Sequence, residues 1–268
     1  MNAEDTRVPV ALRPHLPRLA EAVEAIAERW RRGGRVVYAG AGTSGRLGVL
    51  DAAEWPPTFG VPRDRVVALI AGGAEALVQA VEGAEDDAVA GEADVAAAAV
   101  AAADTVVGLA ASGRTPYTIA ALREARRRGA LTLAVTCNPG SELGRLADFA
   151  VEVETGPEVV TGSTRLKAGT AQKLVLNMLS TALMVRLGYV YDNLMVNVQP
   201  SNEKLRQRAA RIVVELTGAD IETARRVLEA AGEVPAAVVM LRCGCSAAEA
   251  RDRIRRHGSL RAALEAGA

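Results

Sequence analysis

Gly40-Ala-Gly-Thr-Ser-Gly-Arg46 follows a short β-rich run, Arg35-Val-Val-Tyr-Ala39, and opens a segment that reads as a helix. A second string of the same kind, Ala111-Ser-Gly-Arg-Thr-Pro116, follows Thr105-Val-Val-Gly-Leu-Ala110. The first turn of a helix leaves backbone N–H groups unpaired at the positive end of the helix dipole, and flanking hydroxyls add donors, so such junctions favour an anion. Two strand-loop-helix junctions predict an α/β fold whose parallel sheet carries a phosphate cradle at the carboxyl ends of its strands.

Working outward, strands are expected over 35–39, 66–71, 105–110, 131–136 and 149–153. Helices are expected over 16–32, over 46–53 with a stop at Pro56-Pro57, over 74–89, 92–103, 116–128 and 164–187. This alternation predicts a three-layer α/β arrangement, a five-stranded parallel sheet flanked by helices with right-handed crossovers. The last helix is apolar nearly all round its second half, which predicts burial in the core or in a dimer interface. After Gln199-Pro-Ser201 only helical patterns follow, over 202–217, 221–231, 235–242 and 246–257, with Ser246 and Glu249 forming a capping box. The expected organisation is a binding domain over 1–200 and a small packet of three or four helices over 201–268.

Composition narrows the function. The chain has 268 residues, half of them hydrophobic, with 32 basic and 32 acidic side chains and no Lys/Arg block. Nothing in that balance provides the electrostatic footprint of a nucleic-acid or membrane-surface protein, so a small-molecule partner is expected. The acidic start Met1-Asn-Ala-Glu-Asp5 lacks an apolar leader, and the longest apolar stretch is broken by Asn177, Ser180, Thr181 and Arg186. Three cysteines in no paired spacing fit a reducing cytoplasm, and no metal motif is visible.

Gly40-x-Gly42-x-x-Gly45 also matches the dinucleotide fingerprint. The following strand, however, ends Ile70-Ala-Gly-Gly73 without the carboxylate that would hold a ribose. The segment from Gly156 to Lys167 is dense in polar groups and reads either as an elaborate helix cap or as a substrate-lining stretch. Glu54 lies between Ala53 and Trp55 ahead of two prolines, and Glu85 lies in the acidic run Glu82-Gly-Ala-Glu-Asp-Asp87. Spacing alone leaves a solvated acidic face open for Glu85.

Longer strings are more specific. Tyr38-Ala-Gly-Ala-Gly-Thr-Ser-Gly-Arg-Leu-Gly-Val-Leu-Asp-Ala-Ala-Glu-Trp-Pro-Pro-Thr-Phe-Gly60, Val81-Glu-Gly-Ala-Glu-Asp-Asp87, Ala110-Ala-Ser-Gly-Arg-Thr-Pro-Tyr117 and Cys137-Asn-Pro-Gly-Ser141 resemble the N-acetylmuramic acid 6-phosphate etherases. Gly162-Ser-Thr-Arg-Leu-Lys-Ala-Gly-Thr-Ala-Gln-Lys173 resembles a signature these etherases share with glucokinase regulatory protein. The resemblance implies a sugar isomerase (SIS) fold and a cytoplasmic homodimer that acts on a sugar phosphate with neither metal nor organic cofactor. It implies Glu54 and Glu85 as catalytic carboxylates. It also implies Thr43, Ser44, Gly45, Ser112, Gly113, Arg114, Thr115, Glu158, Ser163 and Lys167 as substrate or phosphate contacts. Trp55 stands where the family commonly has Cys.

The implied reaction replaces a lactyl ether by a hydroxyl through elimination and hydration, for which two carboxyls suffice. A sugar-phosphate isomerase would use a similar base without releasing lactate, and a non-catalytic sensor would need neither Glu54 nor Glu85. Ten residues of straight helix would separate Ser44 from Glu54 by about 15 Å. Either the helix ends before Glu54, or Glu54 serves a site completed by another copy of the chain.

Overall fold

A computed structural model describes residues 1–200 and 202–266. The expected junction residue Ser201 and the last two residues of the expected helical domain lie outside the described residues. The chain divides into two compact units, one comprising Met1–Ala53 and Arg63–Thr181, the other Glu54–Pro62 with the chain from Ala182.

In order, the elements are α1 (Asn2–Asp5), α2 (Arg7–Leu12), α3 (Leu16–Arg31), β1 (Val36–Gly40), α4 (Gly42–Phe59), β2 (Val66–Ile70), α5 (Ala88–Ala97), β3 (Thr105–Leu109), α6 (Pro116–Arg127), β4 (Leu131–Thr136), α7 (Glu142–Leu146), β5 (Phe149–Glu152), and α8 (Lys167–Arg186). Five helices follow: α9 (Glu203–Thr217), α10 (Ile221–Ala231), α11 (Val234–Cys243), α12 (Ala247–His257) and α13 (Leu260–Glu265).

The first unit is built on a parallel sheet of order β2-β1-β3-β4-β5. β1, β3 and β4 are buried on both faces, as a sheet covered by helices requires. Val37, Ala39, Val106 and Ala134 pack with Val95 of α5 and with Ile119, Leu122 and Ala125 of α6. On the opposite face α4 comes so close that a Cβ at Gly48 would lie 3.0 Å from Tyr38 Cβ and 3.1 Å from Leu109 Cδ1. Tyr38 donates its hydroxyl to Asp51 of α4 at 2.7 Å, and Ser180 of α8 donates to the same carboxylate at 3.3 Å. A fully buried aliphatic side chain contributes roughly 1.5–3 kcal/mol, so these two layers hold the strand ends rigidly.

Four helical expectations are corrected. Pro56 and Pro57 do not halt α4, which continues to Phe59. Proline φ is already helical, and burial of Trp55 and Phe59 offsets the two missing N–H donors. The α-helix expected over 74–89 does not form before Ala88. Gly72, Gly73 and Gly83 take φ values of +84, +66 and +76°, which break the path into two 3-10 turns, Gly73–Leu77 and Ala84–Asp86. Asp87 then caps α5 by accepting from Ala90 N at 2.9 Å, which moves the start of the expected 92–103 helix forward; Ala99 at φ +49° lies beyond its end. Where three or four C-terminal helices are expected, the described residues form five.

In the second unit, Ala209, Ile212 and Val213 of α9, Leu228 of α10, Val238 of α11, Ala250 of α12 and Leu260 of α13 share one apolar core. The capping box of Ser246 and Glu249 is formed. α8 is not uniformly buried: Leu176, Leu179 and Leu183 are covered, whereas Met178 and Val185 are exposed.

Candidate active site

Because β1 is flanked by β2 on one side and β3 on the other, the connections leaving β1 and β3 diverge and open a crevice at their carboxyl ends. Gly40, the last residue of β1, is in register with Leu109, the last residue of β3, so both glycine loops emerge side by side there.

The first loop is tight. A Cβ at Gly45 would lie 2.6 Å from Gly40 O and 2.7 Å from Ile70 Cγ1, so only glycine allows the turn to close. Gly45 N donates to Ala41 O at 3.0 Å, which starts α4 and leaves the preceding N–H groups at its amino end. Thr43 is half-buried, and Ser44 is buried, its hydroxyl donating to Gln172 Oε1 of α8 at 2.8 Å.

The second loop is more open. Gly113 takes φ +65°, its N–H donates to Ala110 O at 3.0 Å, and its carbonyl accepts from Leu143 N at 3.0 Å. Ser112 Oγ accepts from Arg114 N at 3.2 Å, while Arg114 itself is exposed. Thr115 takes the extended N-cap conformation before Pro116, without a side-chain cap bond.

Glu85 is exposed on the Ala84–Asp86 turn. Together with Ala41, Gly42, Arg46 and Val81 it lines a cleft of about 190 Å³, so the structure brings Glu85 and the first loop to one space. Arg46 holds the wall of that cleft, donating to Ala76 O at 2.8 Å and Gln79 O at 3.1 Å.

The segment before α8 is engaged within the protein. The Glu158 carboxylate caps the helix, accepting from Lys167 N and Ala168 N, both at 3.0 Å. Lys167 is fully buried, and its ammonium donates to Glu4 Oε2 at 2.6 Å; that hydrogen bond holds the Glu4 carboxyl below its usual range. Burial, and next the Glu158 carboxylate, push the nearby Cys137 thiol up to about 12. Ser163 is half-buried in a turn closed by Leu166 N on Ser163 O at 3.2 Å. Glu54 belongs to the second unit; it is exposed, while its neighbour Trp55 turns into the protein with 1% exposure.

Three participants escaped sequence reasoning: Arg46, Gln172 and Glu4. Arg46 adjoins the glycine loop and Gln172 lies in the Gly162–Lys173 string, so position was the only available signal. Among the described residues, no group of three or more His, Cys, Asp or Glu side chains could hold a metal ion.

Residues 18–126 match the glucokinase regulatory protein N-terminal SIS domain family, and residues 86–182 the SIS domain family. The fold is similar to that of a phosphoheptose isomerase from Neisseria gonorrhoeae (TM-score 0.53, 18% identity, 68% of this chain and 94% of that one). N-acetylmuramic acid 6-phosphate etherase from Serratia proteamaculans is 58% identical over 98% of this chain and 89% of its own length. The enzyme of that name from Mycolicibacterium smegmatis is 58% identical over 100% of this chain and 90% of its own length. With two glycine loops at the switch point of an SIS sheet and this identity along nearly its whole length, the chain belongs to the N-acetylmuramic acid 6-phosphate etherase family.

Proposed function

We propose that the chain cleaves the D-lactyl ether of N-acetylmuramic acid 6-phosphate to D-lactate and N-acetylglucosamine 6-phosphate, and that it does so as a cytoplasmic homodimer recycling cell-wall amino sugars. The observation that carries the reading is the cleft in which Glu85 faces the first glycine loop. A phosphate bound by that loop would bring the sugar carbons within reach of a carboxylate.

An alkyl ether offers no electrophilic carbon and a poor leaving group, so elimination is the easier route. With the sugar ring open, the C1 aldehyde acidifies the C2 hydrogen. Glu85 removes that proton, the electron pair forms the C2–C3 double bond, the C3–O bond breaks, and the departing lactate oxygen takes a proton from Glu54. Water then adds its hydroxyl to C3, giving a proton to Glu54, while Glu85 returns a proton to C2. The phosphate, remote from both carbons, supplies binding energy that orients the open-chain sugar.

The second loop, through Ser112, Gly113, Arg114 and Thr115, adds donors to the sugar phosphate in this reading, and Glu158, Ser163 and Lys167 shape the neighbouring wall. Because α4 is continuous, Ser44 and Glu54 are about 15 Å apart along its axis. We therefore assign Glu54 to a site completed by a second copy of the chain. Mixing Glu54→Gln and Ser44→Ala chains should restore some activity, above what the two variants show separately.

The deciding experiment is D-lactate release from N-acetylmuramic acid 6-phosphate in ¹⁸O-labelled water. Lactate with label at sugar C3 is the expected result. Exchange of the C2 hydrogen without lactate would instead identify an isomerase, and binding without either reaction a sensor.

A further inference from the structure

Gln172 lies behind the first glycine loop with one end of its amide engaged and the other idle. The side chain is 1% exposed; Oε1 accepts the Ser44 proton at 2.8 Å, and the buried Nε2 has no acceptor among the described residues. α8 is in direct contact with the loop here, since a Cβ at Gly169 would lie 3.6 Å from Thr43 Cγ2. A buried amide donor left unpaired is costly, so the site favours any arrangement that uses it.

Ser44 has one proton and two lone pairs. While the proton is given to Gln172, the hydroxyl offers only lone pairs to the loop, and these repel a phosphate dianion. A half-turn of the Gln172 amide exchanges its oxygen and nitrogen. Nε2 then donates to Ser44 Oγ, and the Ser44 proton is free to point into the loop. The half-turn gives the idle donor an acceptor and the phosphate a donor.

We infer that Gln172 is a positioning residue that turns Ser44 from a hydrogen-bond acceptor into a donor when a sugar phosphate occupies the first loop. The inference rests on the reading of that loop as a phosphate site. Its chemistry is selective: the unphosphorylated sugar gains nothing from the turn.

The test is calorimetric binding of N-acetylglucosamine 6-phosphate, and of N-acetylglucosamine, to the full-length chain and to Ser44→Ala, Gln172→Met, Gln172→Glu and Ser44→Ala/Gln172→Met variants. Gln172→Met should weaken the phosphorylated sugar about tenfold, because binding no longer gives a buried, unpaired donor its acceptor, roughly one hydrogen bond of ordinary strength. The same substitution should cost less than about twofold in the Ser44→Ala background, because the partner it acts through is gone. Gln172→Glu should be worse than Gln172→Met, since a carboxylate always takes the Ser44 proton and places a charge behind the phosphate. Equal losses with and without the Ser44 hydroxyl would overturn the inference and leave Gln172 a packing role. If Ser44→Ala binds the phosphorylated sugar as the unmodified chain does, the phosphate-loop reading fails first and the inference falls with it. Gln172→Asn, which keeps the amide but withdraws it from Ser44, carries the same expected loss and replaces Gln172→Met if that variant does not fold.

Discussion

The two glycine loops leave neighbouring strands at the same level, yet they are finished differently. The first is packed from behind: Gly40 and Gly45 touch, Ser44 is buried, and its hydroxyl is committed to Gln172. The second is held mainly by backbone, with Ser112 accepting from Arg114 N and Thr115 making no cap bond. Among the described residues Ser112 donates its proton to nothing. One loop is preset by its surroundings, and the other is ready to donate. A shared motif at a shared sheet edge therefore does not imply a shared contribution to binding.

The cleft wall belongs to the first loop alone, so the largest effect should come from there. Glu85→Gln should lower kcat for lactate release by about 10²–10⁴, the usual contribution of a general base, with KM little changed. Comparable activity in that variant would break the assignment of chemistry to the first loop. Next in size, the two serines should separate in affinity. Ser112→Ala should weaken N-acetylglucosamine 6-phosphate by about ten- to a hundredfold, because a charge-assisted bond of roughly 1.5–3 kcal/mol is lost outright. Ser44→Ala should cost less, since the Ser44 proton reaches the ligand only by leaving Gln172 Oε1, so its new bond replaces one rather than adding one. Calorimetry on both variants gives the order, and the reverse order would mean that the turned Gln172 amide more than offsets the bond Ser44 exchanges.

Glycine substitutions sharpen the same contrast through stability. Gly45→Ala should destabilise the chain by about 1–3 kcal/mol in urea unfolding, because the new methyl meets Gly40 O at 2.6 Å. Gly113→Ala should cost at least as much, since it adds a left-handed φ of +65° to a collision with the Ser141 side chain. The smallest effect concerns the helix behind the second loop. Hydrogen bonds from Arg127 and then Arg128 hold the Glu124 carboxyl at about 2, against an ordinary 4.5. A carboxyl lowered on folding stabilises fully above its unfolded value, and that stabilisation is lost as pH falls from about 4.5 toward 2. Melting temperatures of Glu124→Gln and the unmodified chain should therefore differ at pH 6 and converge in acid.

The sheet was legible because its strands are short β-rich runs, with β1 and β3 leading into glycine loops, and the observed bounds differ from the expected ones by one residue at most. The stretch around Glu85 was not legible. Its composition suits a helix, and the left-handed glycines that break it are indistinguishable in sequence from tolerated helical glycines. The prolines after Glu54 misled in the opposite direction, because burial of Trp55 and Phe59 was invisible. In the site, loops and carboxylates could be recognised locally. The Ser44–Gln172 and Glu4–Lys167 pairs join residues 128 and 163 positions apart, beyond the reach of any local pattern. Of the two readings of the segment before α8, the cap is visible directly in Glu158.

The Glu4–Lys167 pair also has a meaning in time. Glu4 is made before its buried partner, which follows 163 positions later. At about 5–20 residues per second, the acid waits roughly ten to thirty seconds for its lysine. Once both are present, the buried ammonium has its carboxylate only if the segment that carries Glu4 has come back to it. The contact thus works as a completion signal: the buried charge at the amino end of α8 is paired when, and only when, the segment that carries Glu4 has closed on it.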